Sequence, residues 1–300
     1  SFVSTSSICQ GEQVSMLWPY IINSNLEIFF AHKPFKWTNL AKGKAGVTCV
    51  IIGMQKKSNK NKFIYEEKNN TKFNATFISP YLLDINPSLF VDRTNKQISN
   101  LPEMLKGNQP TDGGNLILEE NDFKKAVSQN PGIEKFLKRY VGANELLKGL
   151  KRWCIWIEDE DKDKALKFSF IKNRVNSVKN YRLNSDSSFT RSTKKPSYKF
   201  IQIQHNPAKA IIVPSVTSSR RHYLTIDYVQ EDTVISNLAF AIYNPELYVF
   251  GILSSRMHLL WLKAVGGRFG EGFRYSSVLC YNTFFFPNIN ASQKKNIEEK

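Results

Sequence analysis

The residues of this chain best equipped to do chemistry are cations. Residues 164–224 hold thirteen Lys and Arg against one acid, Asp186, so twelve of the sixteen net positive charges fall in that one stretch. Such asymmetry raises a positive field over part of the surface. The polyanion it suits best is nucleic acid, whose neutralised phosphates release counterions and supply most of the affinity. Arg220 and Arg221 follow Ser218 and Ser219. Small hydroxyls beside paired arginines suit phosphate contacts and bidentate guanine readout; the plainer alternative is an exposed loop pair. Arg174 and Arg182 are eight residues apart, near two helical turns, so they either face one groove together or lie on a solvated face. Arg191, Lys194 and Lys195 sit in a Ser/Thr-rich segment able to order on a DNA backbone. Arg268, Arg274 and Tyr275 flank a glycine-rich turn, where backbone can approach DNA closely.

Other chemistries find no matching pattern. Gly266, Gly267, Gly270 and Gly272 follow a helical segment instead of a strand and lack a Gly-Lys-Ser/Thr run, so they read as a helix C-cap and turn, not a phosphate loop. His32, His205, His222 and His258 are dispersed, and His258 lies among apolar residues as a packed or partly exposed side chain. Asp159, Glu160 and Asp161 lack the glycine pattern of a calcium loop and read as a solvated turn. Cys9, Cys49, Cys154 and Cys280 form no CxxC pair, which argues against a zinc site or disulfide framework and for a reducing cytoplasm. No metal is expected. No apolar run reaches the roughly 18 residues of a spanning helix, so no membrane partner is expected either.

The elements that must position these residues are legible as patterns. Residues 10–22 place Val14, Leu17, Trp18, Ile21 and Ile22 on one helical face. Residues 26–30 and 46–52 read as buried strands, joined by a basic loop over 32–44. After a Lys/Asn-rich boundary at 56–72, short strands alternate with turns, and 107–114 is a dense turn signal. Residues 121–141 read as helical with a break near Pro131, and 152–157 as a strand whose Trp153 and Trp156 belong to the core. Residues 168–181 form a basic helix with Ile171, Val175 and Val178 as its apolar stripe. Strands follow at 199–203, 210–213 and 223–226, then a helix over 247–265.

Six blocks in order carry a further signal: FVSTSSICQGEQVSMLWP, EIFFAHKPFKWTNLAKGKAGVTCVIIG, GNQPTDGGNLIL, YVGANELLKGLKRWCIW, VPSVTSSRRHYL and FGILSSRMHLLWLKAVGGRF. Together they resemble the MmeI-like adenine-specific DNA methyltransferases of restriction–modification systems, from Phe2 to about Pro287. The resemblance implies an α/β and α+β fold. Residues 1–58 would be the distal end of a class I (Rossmann-like) methyltransferase sheet, 59–288 a mixed α+β DNA target-recognition domain, and 289–300 a polar tail. It implies methyl transfer from S-adenosylmethionine to adenine N6 in the intact enzyme, double-stranded DNA as partner, and upstream catalytic and possible nuclease domains in the same polypeptide. The family's glycine-rich cofactor loop and its Asn-Pro-Pro-Tyr/Phe motif have no match here. Both are expected upstream of Ser1, so this chain alone is expected to hold no catalytic residue and to be inactive. Where relatives carry an aromatic to stack on a flipped base, this chain reads Gly53-Met54-Gln55. Phe35 and Trp37 are the aromatics available for that role, or they pack the loop down. The rival reading is a stand-alone nucleic-acid-binding or specificity module with no catalytic activity.

Overall fold

The β-branched run after residue 46 becomes an inner strand of a five-stranded sheet. The computed structural model describes residues 1–37, 47–193, 195–270 and 272–299. The chain divides into two compact units. The first comprises Ser1–Leu101, Val216–Leu224 and Ile252–Lys300; the second comprises Pro102–Ser215 and Thr225–Gly251.

The first unit opens with β1 (Phe2–Thr5), α1 (Gln13–Asn23), β2 (Leu26–Trp37), β3 (Val47–Lys56), β4 (Lys62–Glu66) and β5 (Thr71–Ala75). The sheet order is β1-β3-β2-β4-β5, antiparallel except for the β2–β4 pair. Helix α1 buries Val14, Trp18 and Ile22, spaced four residues apart, and Val14 and Trp18 share a core with Ile28, Ala31, Val50 and Ile52. The Trp18 indole N–H donates to the Ile8 carbonyl at 2.6 Å, so the largest side chain of this core leaves no orphaned donor. Strand β2 corrects the expected loop over 32–44, because it runs on to Trp37. The register slips between His32 and Phe35, and that slip accommodates Pro34, which cannot donate to a ladder. The rest of that expected loop lies outside the described residues. The absent side chain of Gly53 is filled from the neighbouring strand: a Cβ there would sit 2.1 Å from the Phe30 ring.

The second unit contains β6 (Met104–Lys106), β7 (Ile117–Glu119), α2 (Glu120–Gln129), β8 (Leu137–Val141), α3 (Ala143–Lys148), β9 (Arg152–Ile155), α4 (Lys162–Ala165), α5 (Ser169–Leu183), α6 (Ser188–Arg191) and β10 (Ala210–Pro214). After β11 (Val216–Thr217), which belongs to the first unit, come β12 (Asp227–Val229), β13 (Thr233–Ile235) and β14 (Ala239–Tyr243). One sheet has the order β12-β10-β14-β6 and the other β13-β8-β9-β7. The expected helix over 121–141 ends at Gln129. Pro131 and Gly132, with Gly132 at φ +87°, turn the chain, and 137–141 becomes β8 between β9 and β13. Neither 199–203 nor 223–226 is a strand; the former makes only one bridge, Gln109 to Gln202. Trp153 and Trp156 pack against the core, Trp153 stacked on Phe123 at 3.9 Å. Asn108, fully buried, joins three segments: its amide donates to the Ile235 carbonyl, and its side-chain oxygen accepts from the Gln204 and His205 N–H groups.

The C-terminal part carries α7 (Leu247–Ser254), α8 (Arg256–Val265), β15 (Gly267–Phe269), β16 (Gly272–Arg274) and α9 (Ala291–Glu298). The helix expected over 247–265 breaks at Ser255, whose hydroxyl accepts from the His258 N–H and starts α8 anew. Among the described residues no helix is long and apolar enough to cross a membrane.

Candidate nucleic-acid interface

In the first unit, the segments that hold Arg220, Arg221, Arg268 and Arg274 meet in one small sheet of order β11-β16-β15. Val216 pairs with Arg274 and Thr217 with Phe273, so the arginine turn leaves the sheet directly beside the glycine hairpin. The turn is fastened by Ser218: its hydroxyl accepts from the Arg220 N–H and its carbonyl from the Arg221 N–H. Ser218, Ser219 and Arg220 are exposed and Arg221 is half-buried.

The hairpin is the glycine cluster. Gly266 ends α8 in extended backbone instead of a left-handed cap, and Gly270 takes the positive φ of the turn at +58°. Gly272 is needed for contact. A Cβ there would lie 2.7 Å from the Thr217 carbonyl oxygen, so only glycine lets β11 pass this close. Gly272→Ala is expected to destabilise this sheet by about 1–3 kcal/mol, the scale of local overpacking. It should also weaken duplex binding by displacing the arginine turn. Paired urea unfolding and anisotropy titrations check both effects, and unchanged binding would detach the turn from the interface.

Register decides which cations share a face. Arg268 lies opposite Phe273 and its guanidinium stacks on that ring at 4.4 Å. Arg274 follows Phe273 and projects from the other face, opposite Gly267. Arg268 is therefore half-buried against an aromatic, and burial lowers its pKa, whereas Arg274 is exposed. Tyr275 does not belong to the interface. It is 2% exposed, and its hydroxyl sits 2.8 Å from His258 Nε2. Phe269 is an addition the sequence reading missed: this aromatic beside the hairpin turn is 68% exposed. A Phe between Arg268 and Gly270 at a turn was the available signal.

In the second unit the expectation for Arg174 and Arg182 is corrected. Arg182 is 5% exposed, and each of its five N–H groups has a carbonyl: Nε to Thr111, Nη1 to Lys195 and Pro196, Nη2 to Pro110 and Lys199, at 2.7–3.3 Å. Burial lowers its pKa, opposed by nearby Asp112. Arg174 pairs with Asp122 at 3.0 Å and donates to the Asn115 and Ile117 carbonyls. Eight residues at 3.6 per turn leave the two side chains about 80° apart, so they do not share a face. Arg191 and Lys195 are exposed, and Lys194 lies outside the described residues.

Phe35 and Trp37, two residues apart on β2, put their rings on one side with centroids 6.3 Å apart. Trp37 is 48% exposed. Nearby in the same unit, a cleft of about 510 Å³ is lined by Lys33, Pro34, Tyr81, Leu260, Lys263 and Arg268 among others.

With this geometry in place, three similarities bear on it. Residues 85–288 match the family described as MmeI, target recognition domain, and residues 1–66 match MmeI, DNA-methyltransferase domain. The chain is similar to DNA methyltransferase A of Bacillus subtilis (strain 168), 38% identical over 300 residues, which is all of this chain and 34% of that protein. It is similar in structure to MmeI, a type IIL restriction-modification enzyme solved in complex with DNA. That superposition has a TM-score of 0.92 at 37% identity and covers 99% of this chain and 40% of that one.

Proposed function

The chain belongs to the MmeI family, carrying both methyltransferase and target-recognition signatures, and on that premise we propose that it holds duplex DNA and selects the sequence to be methylated. In the whole protein a methyl group passes from S-adenosylmethionine to the N6 amino nitrogen of an adenine flipped out of the duplex, within a cytoplasmic restriction–modification system. Residues 1–58 are assigned to the end of the catalytic domain, 59–288 to target recognition and 289–300 to a tail. The observation that carries this reading is the β11-β16-β15 sheet, which gathers a serine–arginine turn and an arginine hairpin inside the stretch that matches the target-recognition family.

The cofactor is not assigned to residues of this chain. The glycine cluster at 266–272 follows a helix and belongs to a β-hairpin, not to a strand-to-helix turn whose amides would cradle an anion. The catalytic steps are therefore assigned to sequence that the longer relatives carry outside the matched stretch. The chain's own contribution is to clamp phosphates and read base edges. Ser218, Ser219, Arg220, Arg221 and Arg274 form the assigned contact surface, with Arg268 steadied by Phe273. Phe35 and Trp37 are the assigned stacking surface for the extruded base.

Anisotropy titration of the chain with duplexes of varied sequence tests this. Arg220→Ala and Arg221→Ala are each expected to weaken binding, by about 1–3 kcal/mol and in a sequence-dependent way for whichever reads a base. Parental affinity in both variants would remove the turn from the interface. No salt-sensitive binding by the parent chain would sink the DNA-holding assignment itself.

A further inference from the structure

Helix α5 carries a second stripe that the DNA reading above does not use. Beside its buried line of Ile171, Val175, Val178 and Arg182 run Lys172, Asn176 and Lys179, all exposed and spaced four and three residues apart. These face a cleft of about 500 Å³ in the second unit. Lys162 of α4, Arg191 of α6 and Lys195 also line it, and no Asp or Glu is among its lining residues. Among the described residues, no ion pair engages Lys172 or Lys179. Five exposed cations around one concave surface repel one another, and an anionic occupant relieves that repulsion.

Arg182 builds the wall. It sits under the cleft and grips the Lys195, Pro196 and Lys199 carbonyls, so the segment after α6 is held against α5. The cleft is thus a set feature of the fold. Its chemistry is that of point charges. Four of the five exposed cations are lysines, and Arg191 already spends one guanidinium nitrogen on the Ser185 carbonyl. Lysine ammonium groups neutralise phosphates without the planar fork that reads a base edge.

We infer that this cleft takes the phosphodiester backbone of duplex DNA, as a second contact indifferent to sequence. The inference rests on the proposal that the chain holds DNA, and it adds a clamp separate in kind from the arginine turn. The turn discriminates; the cleft supplies affinity.

The test is anisotropy titration of the whole chain across a salt series, using several duplexes, with the variant Lys172→Gln/Lys179→Gln. Affinity should fall by the same factor on every duplex. The slope of log affinity against log salt should shrink by about 1.8, near 0.9 for each lost phosphate contact. Lys172→Arg/Lys179→Arg keeps the charge and should keep parental binding, which separates charge loss from misfolding. Arg220→Ala/Arg221→Ala should instead change the ranking of the duplexes. A glutamine variant with parental affinity and slope, while the Arg220→Ala/Arg221→Ala variant is impaired, overturns the cleft and leaves the DNA reading standing. A parent chain that binds no duplex overturns both. Loss of binding to phosphatidylserine vesicles with duplex binding untouched would give the cleft to a lipid surface and overturn the inference.

Discussion

Replacing Arg182 by Met should lower the stability of the second unit by about 4 kcal/mol or more, read as a shifted urea midpoint. The substitution keeps an unbranched apolar stem but removes a donor from five carbonyls, of which Pro196's keeps the Lys199 N–H. Each buried acceptor left without a donor costs about 1–3 kcal/mol, and not all five can reach water where Arg182 is 5% exposed. Losses above roughly 4 kcal/mol are exceptional for one substitution and point to a broken buried network. Arg182→Lys should recover little, because an ammonium offers three donors from one point and the carbonyls belong to two separate segments, 110–111 and 195–199. The same variants should loosen the cleft and weaken duplex binding without changing sequence preference. A change below about 1 kcal/mol would mean that the carbonyls find other partners, and the clamp would lose its structural role.

Arg182 also shows where reading the sequence stops. Ile171, Val175 and Val178 were legible as the buried stripe of α5, and the next position on that stripe is 182. Charge suggested an exposed groove contact; periodicity placed the same residue in the core, and periodicity prevails because five donors find five acceptors there. Those acceptors lie far off in sequence, on the turn that 107–114 announced and on the segment after α6, so no local pattern could reveal the match. Arg174 behaves likewise, with Asp122 on another helix.

Strand and helix identity failed where tertiary pairing overrode local pattern. Residues 137–141 carry a helix-compatible mixture, yet Leu137, Lys138 and Arg139 pair with β9, and Arg139, Tyr140 and Val141 with β13. The segment 247–265 repeats apolar residues at helical spacing, but Ser254 and Ser255 supply hydroxyls that compete with the backbone, and Ser255 becomes a cap. The two turns fared better. Small residues beside arginines marked a turn, and glycines marked a second one; both are turns. That they share a sheet depends on Thr217 pairing with Phe273 across 56 residues, which only the fold displays.

Mild acid should destabilise the first unit through His258, before most of its carboxylates protonate. That ring is fully buried. Tyr275 lies 2.8 Å from Nε2, Phe284 and Phe286 pack on it, and Nδ1 has no partner. No charged group contacts the imidazole among these neighbours, and burial pushes its pKa down to about 3. In the unfolded chain it titrates near 6.5. Below pH 6.5 the unfolded state therefore takes up a proton that the folded state refuses. Stability is complete above that pH and drains away as the pH falls toward 3, by up to about 1.4 kcal/mol per pH unit. Between pH 7 and pH 4.5 the loss should reach about 2–3 kcal/mol. His205, whose pKa falls to about 4 through burial and then the nearby Lys138 charge, works in the same direction in the second unit. Glu27 and Asp159, with lowered pKa values, lose their contribution as the pH falls through the ordinary carboxylate range, from about pH 5 downward, so they leave most of this window to the histidines. His258→Phe gives up the Tyr275 hydrogen bond and should be less stable than the parent at pH 7. Its deficit should shrink steadily as the pH falls to 4.5, because the variant has no proton to refuse there. Urea midpoints at half-unit pH steps decide it: a deficit that stays constant across the window would show that His258 does not titrate on unfolding.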